Sequence, residues 1–506
     1  MTAAAIRSVV IVGGGSAGWM AAAALSRFLP PGTAIRLIES DAIGTVGVGE
    51  ATIPQLRLFN QSLGIDEDAF VRATGGSFKL GIRFDGWSGP DSRYIHAFGT
   101  IGRGAGLLPF HHYWLAHRQA GGTTDLWDCS ASARAAAADR FAPDPGRPDL
   151  PSGLAWAYHF DAGLYAAYLH HYAEARGVER IEGRIVGVER DGHTGHVAAV
   201  RLEGERRVAG DLFIDCSGFR GLLIEETLAS GFDDWSAHLP CDRALAVPTG
   251  RTRPLHPFTC ATARAAGWQW RIPLQHRTGN GLVYASSHLS DDAAAELLVG
   301  HLDGPPLADP RPLRFTTGRR RRPWIGNCVS LGLAAGFMEP LESTSIHLVQ
   351  SGIARLLEFW PDRRLAPAGI AAFNRRSEAE WLAIRDALIL HYHANARDEP
   401  FWCERRAAPI PDSLAERIDL FRESGRILRQ GDELFAEVGW LQILIGQGIV
   451  PLDHAPLVAA LPPAEREALV AIAARHAEAV AARLPDHAEF VARHCAAPPP
   501  TESRTA

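Results

Sequence analysis

The sequence predicts an α/β fold whose C-terminal part is mainly helical. Three observations carry this prediction: a β-branched run that leads through a glycine-rich turn into an alanine-rich helical pattern, a second strand pattern directly after it, and helical patterns that dominate from residue 346 onward. We therefore predict a core over residues 1–345 with insertions at about 85–160 and 230–300, a helical region over 346–495 and a disordered tail over 496–506.

The first predicted unit is a strand, a turn and a helix. The strand pattern runs from Ser8 to Val12, the turn from Gly13 to Gly18 reads G-x-G-x-x-G, and a helical pattern follows from Trp19 to about Phe28. Such glycines make a tight turn and let a pyrophosphate approach the helix N-terminus. The second strand pattern, from Ala34 to Ile38, ends in Glu39, whose carboxylate suits a ribose hydroxyl and disfavours a 2′-phosphate. The unit therefore predicts FAD or NAD, and not NADP.

A second glycine-rich segment runs from Gly44 to Pro54 and includes Glu50 and Ala51. Two such segments within 55 residues indicate a long ligand that the backbone approaches at several points, which favours FAD. A flexible linker here, or a turn without a ligand at residues 13–18, is the alternative.

Lys79 is the only lysine among the 51 Lys and Arg residues of the chain. Arginine keeps its proton in proteins, whereas an ε-amine can titrate, act as a nucleophile or direct a compact N–H group at a reactant. A surface lysine left over in an arginine-rich composition is the alternative. Further along, His96 and Phe98 alternate on an extended pattern and therefore face the same side. A core pair and a clamp for a substrate are both open for them.

The middle of the chain carries further element patterns. A helix is predicted from Trp156 to Arg176, and strands are predicted from Arg184 to Arg190, Val197 to Leu202 and Asp211 to Asp215. The last of these strands ends in a small-residue turn, a place where a sheet of this kind receives its ligand.

Two later segments add candidate residues. Trp268 and Trp270 share one face of an extended segment, and the four consecutive arginines at 319–322 are predicted to be solvated or to cap a helix.

An amphipathic helix is predicted to begin near residue 345, with Ser343 or Thr344 as its N-cap and Glu342 just outside it. Free backbone N–H groups at such a helix end form an anion site. A capped helix without a ligand is the alternative.

Composition and charge limit the function classes. The net charge is −6 with both signs dispersed, which indicates no nucleic-acid or anionic-lipid partner. Seven scattered cysteines without a C-x-x-C pair fit a reducing cytoplasm and predict neither disulfides nor a metal site. The first apolar run, Val9 to Val12, is too short for a secretory signal or a membrane span. We expect a soluble cytoplasmic protein.

Taken together, these motifs resemble the flavin-dependent halogenases of the tryptophan-halogenase family over nearly the whole chain. The resemblance implies a GR2-like, Rossmann-type FAD-binding core with substrate-facing insertions and a helical C-terminal substrate region. The motifs that carry it are Gly-Gly-Gly-Ser-Ala-Gly at 13–18, Gly-Val-Gly-Glu-Ala-Thr-Ile-Pro at 47–54, Phe-Lys-Leu-Gly-Ile at 78–82, His96-Ala-Phe98, Trp-Gln-Trp-Arg-Ile-Pro at 268–273 and Glu-Pro-Leu-Glu-Ser-Thr at 339–344.

The resemblance also implies an activity. A separate NADH-dependent flavin reductase supplies FADH2, and FADH2, O2 and chloride or bromide give hypohalous acid. This species travels through a tunnel to Lys79 and halogenates an electron-rich aromatic ring, with Glu342 steadying the halogenating species or taking the ring proton.

Site residues follow from the same resemblance. The implied FAD-binding residues are Gly13, Gly15, Ser16, Ala17, Gly18, Glu39, Glu50, Ala51 and Leu333. Thr344 and Ser345 would hold the halide, His96 and Phe98 the substrate ring, and Trp268 and Trp270 would line the tunnel wall. We expect no metal, and a monomer or homodimer.

This chain departs from the family pattern at two places. Ser345 stands where members specific for free tryptophan usually have glycine, and residues 435–451 lack a Tyr-Tyr lid for the amino-acid end of tryptophan. The expected substrate is therefore indole or an indole derivative, with tryptophan and a carrier-bound or peptidyl substrate left open.

Two other functions compete with halogenation at this stage. An FAD-dependent aromatic monooxygenase would place the substrate against the flavin and would need no halide. A non-catalytic flavin-binding protein would explain the glycine-rich segments but would leave Lys79 and Glu342 without a role.

Overall fold

The computed structural model describes residues 5–42, 49–144, 146–147, 150–431 and 433–498. Part of the second glycine-rich segment, residues 43–48, and residues 499–506 of the predicted tail lie outside the described residues. The chain forms two compact units from interleaved segments. The first comprises Met1–Thr74, Phe160–Pro240 and Phe315–Leu382, and the second Gly75–His159, Cys241–Arg314 and Ala383–Ala506.

The first unit is built on a six-stranded sheet. Its strands, in spatial order, are Trp324–Ile325, Cys328–Ser330, Leu212–Asp215, Ser8–Val12, Ala34–Glu39 and Glu179–Glu182. All neighbours are parallel except the first pair. The central strand Ser8–Val12 is a nearly continuous apolar run because both faces of a parallel sheet are covered, and Val9, Val10 and Ile11 are fully buried.

Smaller sheets and helices complete the first unit. One three-stranded sheet consists of Arg207–Ala209, Val197–Leu202 and Ile185–Arg190, another of Phe232–Asp234, Gly318–Arg320 and Gly336–Phe337, and a further short strand is Gly49–Ala51. The helices are Ser16–Phe28, Gln55–Ser62, Glu67–Ala73, Ala162–Glu174 and Ser345–Glu358, and Pro367–His393 begins in this unit and ends in the second.

The second unit is built on a seven-stranded sheet. Its strands, in spatial order, are Arg311–Arg314, Arg243–Gly250, Arg277–Tyr284, Gly267–Pro273, Thr259–Arg264, Gly81–Asp85 and Arg93–Ala97. Only Thr259–Arg264 and Gly81–Asp85 are parallel neighbours in it. A separate strand, Ser77–Lys79, pairs antiparallel with the first residues of Ala157–Asp161.

Helices surround this second sheet in the chain order. They are Phe110–Gln119, Ala131–Ala137, Asp291–Val299, Pro400–Ala407, Asp412–Ser424, Glu437–Gly446, Pro463–Arg483 and His487–His494. Short 3-10 turns occur at Trp127–Cys129, Glu203–Glu205, Gly218–Arg220, Gly332–Ala334 and Pro456–Ala460. No helix among the described residues is both long and apolar enough to cross a membrane.

The mixed sheets confirm the predicted α/β class, and the strands predicted near 184–190, 197–202 and 211–215 are present. The helix predicted from Trp156 to Arg176 is wrong at its start, because Ala157–Asp161 is a strand. Asp161 ends that strand and caps the helix Ala162–Glu174, since its carboxylate accepts hydrogen bonds from two N–H groups of the first helical turn. The predicted domain boundary after residue 345 stays a prediction.

The four-arginine run is also not solvated throughout. Arg319 is buried and pairs with Asp233 at 2.9 Å and with Glu378 at 2.5 Å, and Arg320 is buried as well. The run lies on a strand of the first unit, where each buried guanidinium needs an acidic partner, so composition alone was a poor guide to its exposure.

Candidate active site

The glycine turn of the first unit has a packed side and an open side. Gly13 has a φ of +107°, and a Cβ there would overlap the Cys216 carbonyl oxygen, while a Cβ on Gly18 would overlap the Gly13 carbonyl oxygen. A Cβ on Gly15 would meet nothing within 4 Å, and no side chain caps the helix that begins at Ser16. The open backbone at a helix N-terminus fits the pyrophosphate of FAD.

Glu39 lies against this turn. A Cβ on Gly14 would overlap its carboxylate, which accepts a hydrogen bond from Arg180 Nε at 2.5 Å. Arg180 also pairs with Asp41 and Glu182. The predicted ribose-binding carboxylate is therefore held by an arginine that sequence reasoning missed, because Arg180 reaches it only through the parallel pairing of Glu179–Glu182 with the strand that Glu39 ends.

Two further predicted FAD residues lie in the first unit beside the described part of the second glycine-rich segment and in a 3-10 turn. Glu50 stands on the strand Gly49–Ala51, and burial raises the pKa of its carboxyl to about 7. Leu333 belongs to the turn Gly332–Ala334, where a Cβ on Gly332 would lie 2.7 Å from Ala17 Cβ. The structure thus brings the turn of Leu333 next to the glycine turn.

The predicted halide residues lie at the start of the helix Ser345–Glu358. Thr344 is its N-cap residue, and no side chain caps the helix end. The Thr344 side chain is buried, and its Oγ1 has no hydrogen-bond partner in the part of the chain that the structure describes. Ser343 adopts a left-handed φ of +58°, which costs energy for a residue other than glycine. The positive helix end and the buried hydroxyl fit a small anion, and Glu342, also buried, directly precedes them.

Lys79 is fully buried in the second unit, so the surface alternative is wrong. It ends the strand Ser77–Lys79, and its Nζ lies 5.3 Å from the centroid of the Phe98 ring. An aromatic face attracts a cation at such a distance. Burial of an ammonium group is costly, so a fully buried single lysine is more typical of a functional group than of a compositional remnant.

His96 and Phe98 flank Ala97 at the end of the strand Arg93–Ala97. Gln442 fixes this stretch, because its amide accepts from the Ala97 N–H at 2.9 Å and donates to the Ala97 carbonyl at 3.0 Å. His96 is buried with its ring centroid 6.0 Å from that of Phe435, and a Cβ on Gly439 would lie 3.3 Å from His96 Nε2. Sequence reasoning missed these neighbours, which lie more than 300 positions away.

Trp268 and Trp270 are buried on the strand Gly267–Pro273, with ring centroids 6.0 Å apart. Trp268 also lies near Trp87, at a centroid distance of 6.3 Å. The predicted shared face is therefore present, while the role of the pair as a tunnel wall remains a proposal.

The two units divide the predicted site residues between them. The first unit contains Gly13, Gly15, Ser16, Ala17, Gly18, Glu39, Glu50, Ala51, Leu333, Glu342, Thr344 and Ser345, and the second contains Lys79, His96, Phe98, Trp268 and Trp270. Among the described residues, no cluster of three or more His, Cys, Asp or Glu side chains is arranged to hold a metal ion.

Comparison with known proteins gives a consistent result. The tryptophan halogenase family model matches residues 8–463. The chain is 36% identical over 496 residues to the tryptophan 7-halogenase RebH of Lentzea aerocolonigenes, with 91% of this chain and 93% of RebH covered.

Solved structures agree with this match. A flavin-dependent halogenase from Xanthomonas campestris has a TM-score of 0.95 at 50% identity, covering 98% of this chain and 100% of that chain. BrvH, a flavin-dependent halogenase from Brevundimonas sp. BAL3, has a TM-score of 0.92 at 46% identity, covering 97% of this chain and 99% of BrvH. Since the family model spans most of the sequence and the fold agrees over nearly all of it, the chain belongs to the tryptophan halogenase family.

Proposed function

We propose that this chain halogenates the ring of indole or an indole derivative in preference to free tryptophan. As a member of its family the chain is an FADH2-dependent halogenase that uses FAD and a halide ion and receives its reduced flavin from a separate reductase. RebH acts on tryptophan, as its name states. The preference for a bare ring is supported by one observation in this chain, the apolar neighbourhood of His96.

That neighbourhood consists of an aromatic ring and a glycine. Phe435 and Gly439 lie where an ammonium or carboxylate group of a substrate would need a charged or polar partner. A desolvated charge without such a partner is costly, whereas an indole ring gains from stacking on aromatic side chains. His96 and Phe98 would therefore hold a flat apolar ring better than an amino acid.

Lys79 and Glu342 would carry the chemistry of substitution. The buried ammonium group of Lys79 would present an N–H to hypohalous acid or, once deprotonated, accept its halogen. The aromatic carbon takes the halogen without its bonding electrons, hydroxide leaves as water after protonation, and the ring then loses a proton. The buried Glu342 carboxylate would accept that proton.

The remaining roles concern binding. The glycine turn, Glu39, Glu50, Ala51 and Leu333 would hold FAD, which when bound supplies the two electrons that activate O2. Thr344 and Ser345 would hold chloride or bromide through N–H groups at the helix start. Trp268 and Trp270 would line the path of hypohalous acid, and we propose an NADH-dependent reductase and a monomer or homodimer.

A turnover assay tests the proposal. The purified chain is supplied with a flavin reductase, NADH, FAD, bromide and either indole or tryptophan at equal concentration, and brominated product is measured by mass spectrometry. We expect bromoindole to form faster than bromotryptophan, and neither to form without halide. A clear preference for tryptophan would contradict the proposed substrate, and product formed by hydroxylation without halide would indicate a monooxygenase.

A further inference from the structure

The strand that carries Lys79 is bordered by a second buried group that no motif predicted. The antiparallel pairing places Ser77 opposite His159 and Lys79 opposite Ala157, and all four residues are fully buried. Opposing residues on paired strands share a face, so His159 is the diagonal neighbour of Lys79 on that face.

The hydrogen bonds of His159 have defined directions. Ser77 Oγ–H donates to the Pro273 carbonyl at 2.7 Å, so the single hydroxyl proton of Ser77 is used there. Ser77 Oγ must then accept from His159 Nδ1–H at 3.0 Å. The neutral imidazole has its lone pair on Nε2, which accepts the Thr259 hydroxyl proton at 2.9 Å. Both ring nitrogens are therefore engaged while His159 is neutral.

These bonds connect the Lys79 strand to two strands of the seven-stranded sheet. Pro273 ends the strand that carries Trp268 and Trp270, and Thr259 begins the neighbouring strand. A shift of the Lys79 strand would break the Ser77 bonds and leave buried polar atoms without partners, which is costly.

The other side of the strand is held as well. The Phe78 N–H donates to His487 Nε2 at 3.1 Å, and His487 Nδ1–H donates to the Leu255 carbonyl at 2.7 Å. The Phe78 ring stacks on Phe141 with a centroid distance of 4.1 Å. Lys79 thus stands on a short strand fixed from both faces.

Charge links His159 to Lys79 directly. Burial lowers the pKa of His159 well below its ordinary value, and the positive charge of Lys79, followed by that of His487, lowers it further. Ser77 and Thr259 do not titrate, so Lys79 and His487 are the titratable groups that act on His159. By reciprocity, a cation at position 159 would disfavour the ammonium form of Lys79.

We propose that His159 is a positioning residue for Lys79: as a neutral imidazole bonded to Ser77 and Thr259, it holds the Lys79 amine over the Phe98 ring. The proposal rests on the proposed function, because that function gives Lys79 its role. His159 itself touches neither substrate nor flavin in this assignment.

The test compares His159→Phe with His159→Asn in the full chain. Each variant is assayed with reductase, NADH, FAD, bromide and indole for brominated product per NADH consumed, and for kcat and KM separately. Phenylalanine removes both hydrogen bonds, and we expect product per NADH to fall about 10-fold or more through kcat, with NADH consumption retained. The Asn amide can replace the Nδ1–H donor to Ser77, so this variant should recover most of the product.

A matched control removes another buried imidazole of the same unit. His111 is buried and bonds the Gly425 carbonyl at 2.9 Å, outside the Lys79 strand. His111→Phe should lower stability and leave product per NADH unchanged. An equal loss of product in this control would show that any lost imidazole has the same effect and would overturn the proposal.

Two further variants cover a failure of His159→Phe to fold. Thr259→Val removes the hydroxyl donor with little change of volume, and Ser77→Ala removes the acceptor of His159 Nδ1–H. We expect both to lower product per NADH, and coupling close to wild type in both would overturn the proposal. Lys79→Arg run in parallel separates the two levels: if it still halogenates, the proposed role of Lys79 fails, whereas its loss together with intact His159 variants refutes only the inference.

Discussion

At the scale of single residues, Lys79 combines two properties that seldom occur together. It is the only lysine of the chain and it is fully buried, with an aromatic ring 5.3 Å from its amine. Arginine serves as the cation everywhere else in this sequence. The conserved charge of an arginine therefore does not explain the choice of lysine here, and a titratable, compact amine does.

Lys79→Arg separates charge from chemistry. The variant keeps a cation of similar length, so folding, FAD affinity and oxidation of FADH2 by O2 should persist. The guanidinium cannot deprotonate to accept halogen, so halogenated product should fall about 100-fold or more while NADH is still consumed. Product and NADH measured in the same assay check this, and near-normal product would make Lys79 a remnant of composition.

Glu342→Gln tests the second proposed catalytic group. Glutamine preserves the shape of the buried side chain but cannot take up the ring proton. We expect turnover to slow by about 100-fold, the scale of one positioned proton-transfer group. A steady-state assay of indole bromination decides this, with Glu358→Gln on the exposed end of the following helix as the matched control.

At the scale of elements, the turn before the helix Ser16–Phe28 separates structural glycines from an open one. A Cβ on Gly15 meets nothing within 4 Å, whereas a Cβ on Gly13 would overlap the Cys216 carbonyl. Gly15→Val should therefore fold, because there is room, yet fail to bind FAD, because its side chain fills the place of the pyrophosphate. Fluorescence titration with FAD and circular dichroism check the two halves, and normal FAD binding by this variant would refute the FAD site.

The helix Ser345–Glu358 is anchored away from its open end. Glu380 accepts hydrogen bonds from His347 at 2.9 Å, Ser351 at 2.8 Å and Arg355 at 2.7 Å. Burial alone would raise the pKa of Glu380, but the bonds and charges of His347 and Arg355 lower it to about 2. The helix start is thereby held in place with its N–H groups directed at the proposed halide.

Bromide should bind at that helix start. We expect a crystal soaked in bromide to show an anomalous-scattering peak beside Thr344, because the helix end is positive and its hydroxyl is buried. Bromide should also be at least as productive as chloride, since it is oxidised more easily. A strong peak found only elsewhere would contradict the site.

Elements with a local signal were predictable from sequence, and those with a long-range cause were not. The turn at Gly13 and the helix start at Thr344 follow from residues within a few positions of each other. The strand Ala157–Asp161 was missed because its pairing partner, Ser77–Lys79, lies about 80 positions earlier. His159, Phe435 and Arg180 each act on a predicted site residue across such a distance, and no spacing in the sequence indicates their partners.

At the scale of the whole molecule, titratable groups are buried unevenly. Four neutral histidines with lowered pKa values lie in the second unit. Burial lowers the pKa of His111, His112 and His487 to about 4, and that of His159 well below its ordinary value. The first unit instead contains Glu50, whose carboxyl pKa burial raises to about 7.

This distribution predicts mild-acid instability of the second unit. An unfolded histidine binds its proton near pH 6.5, whereas these four stay neutral in the folded unit until about pH 4 or below. Between those values the unfolded state holds more protons, so the free energy of unfolding falls as the pH falls, by at most about 1.4 kcal/mol per pH unit for each histidine. Above pH 6.5 they contribute no pH dependence.

Glu50 acts in the opposite direction, because its folded carboxyl holds a proton between about pH 4.5 and 7 that the unfolded chain has released. One carboxyl cannot offset four histidines, so the net stability should decline from pH 6.5 downward. Urea unfolding followed by tryptophan fluorescence at pH 7.5, 6.5, 5.5 and 4.5 measures this, and His487→Asn should flatten the decline while His193→Asn, at an exposed position, should not. A free energy of unfolding that stays constant between pH 6.5 and 4.5 would mean that these imidazoles take up protons without leaving their buried positions.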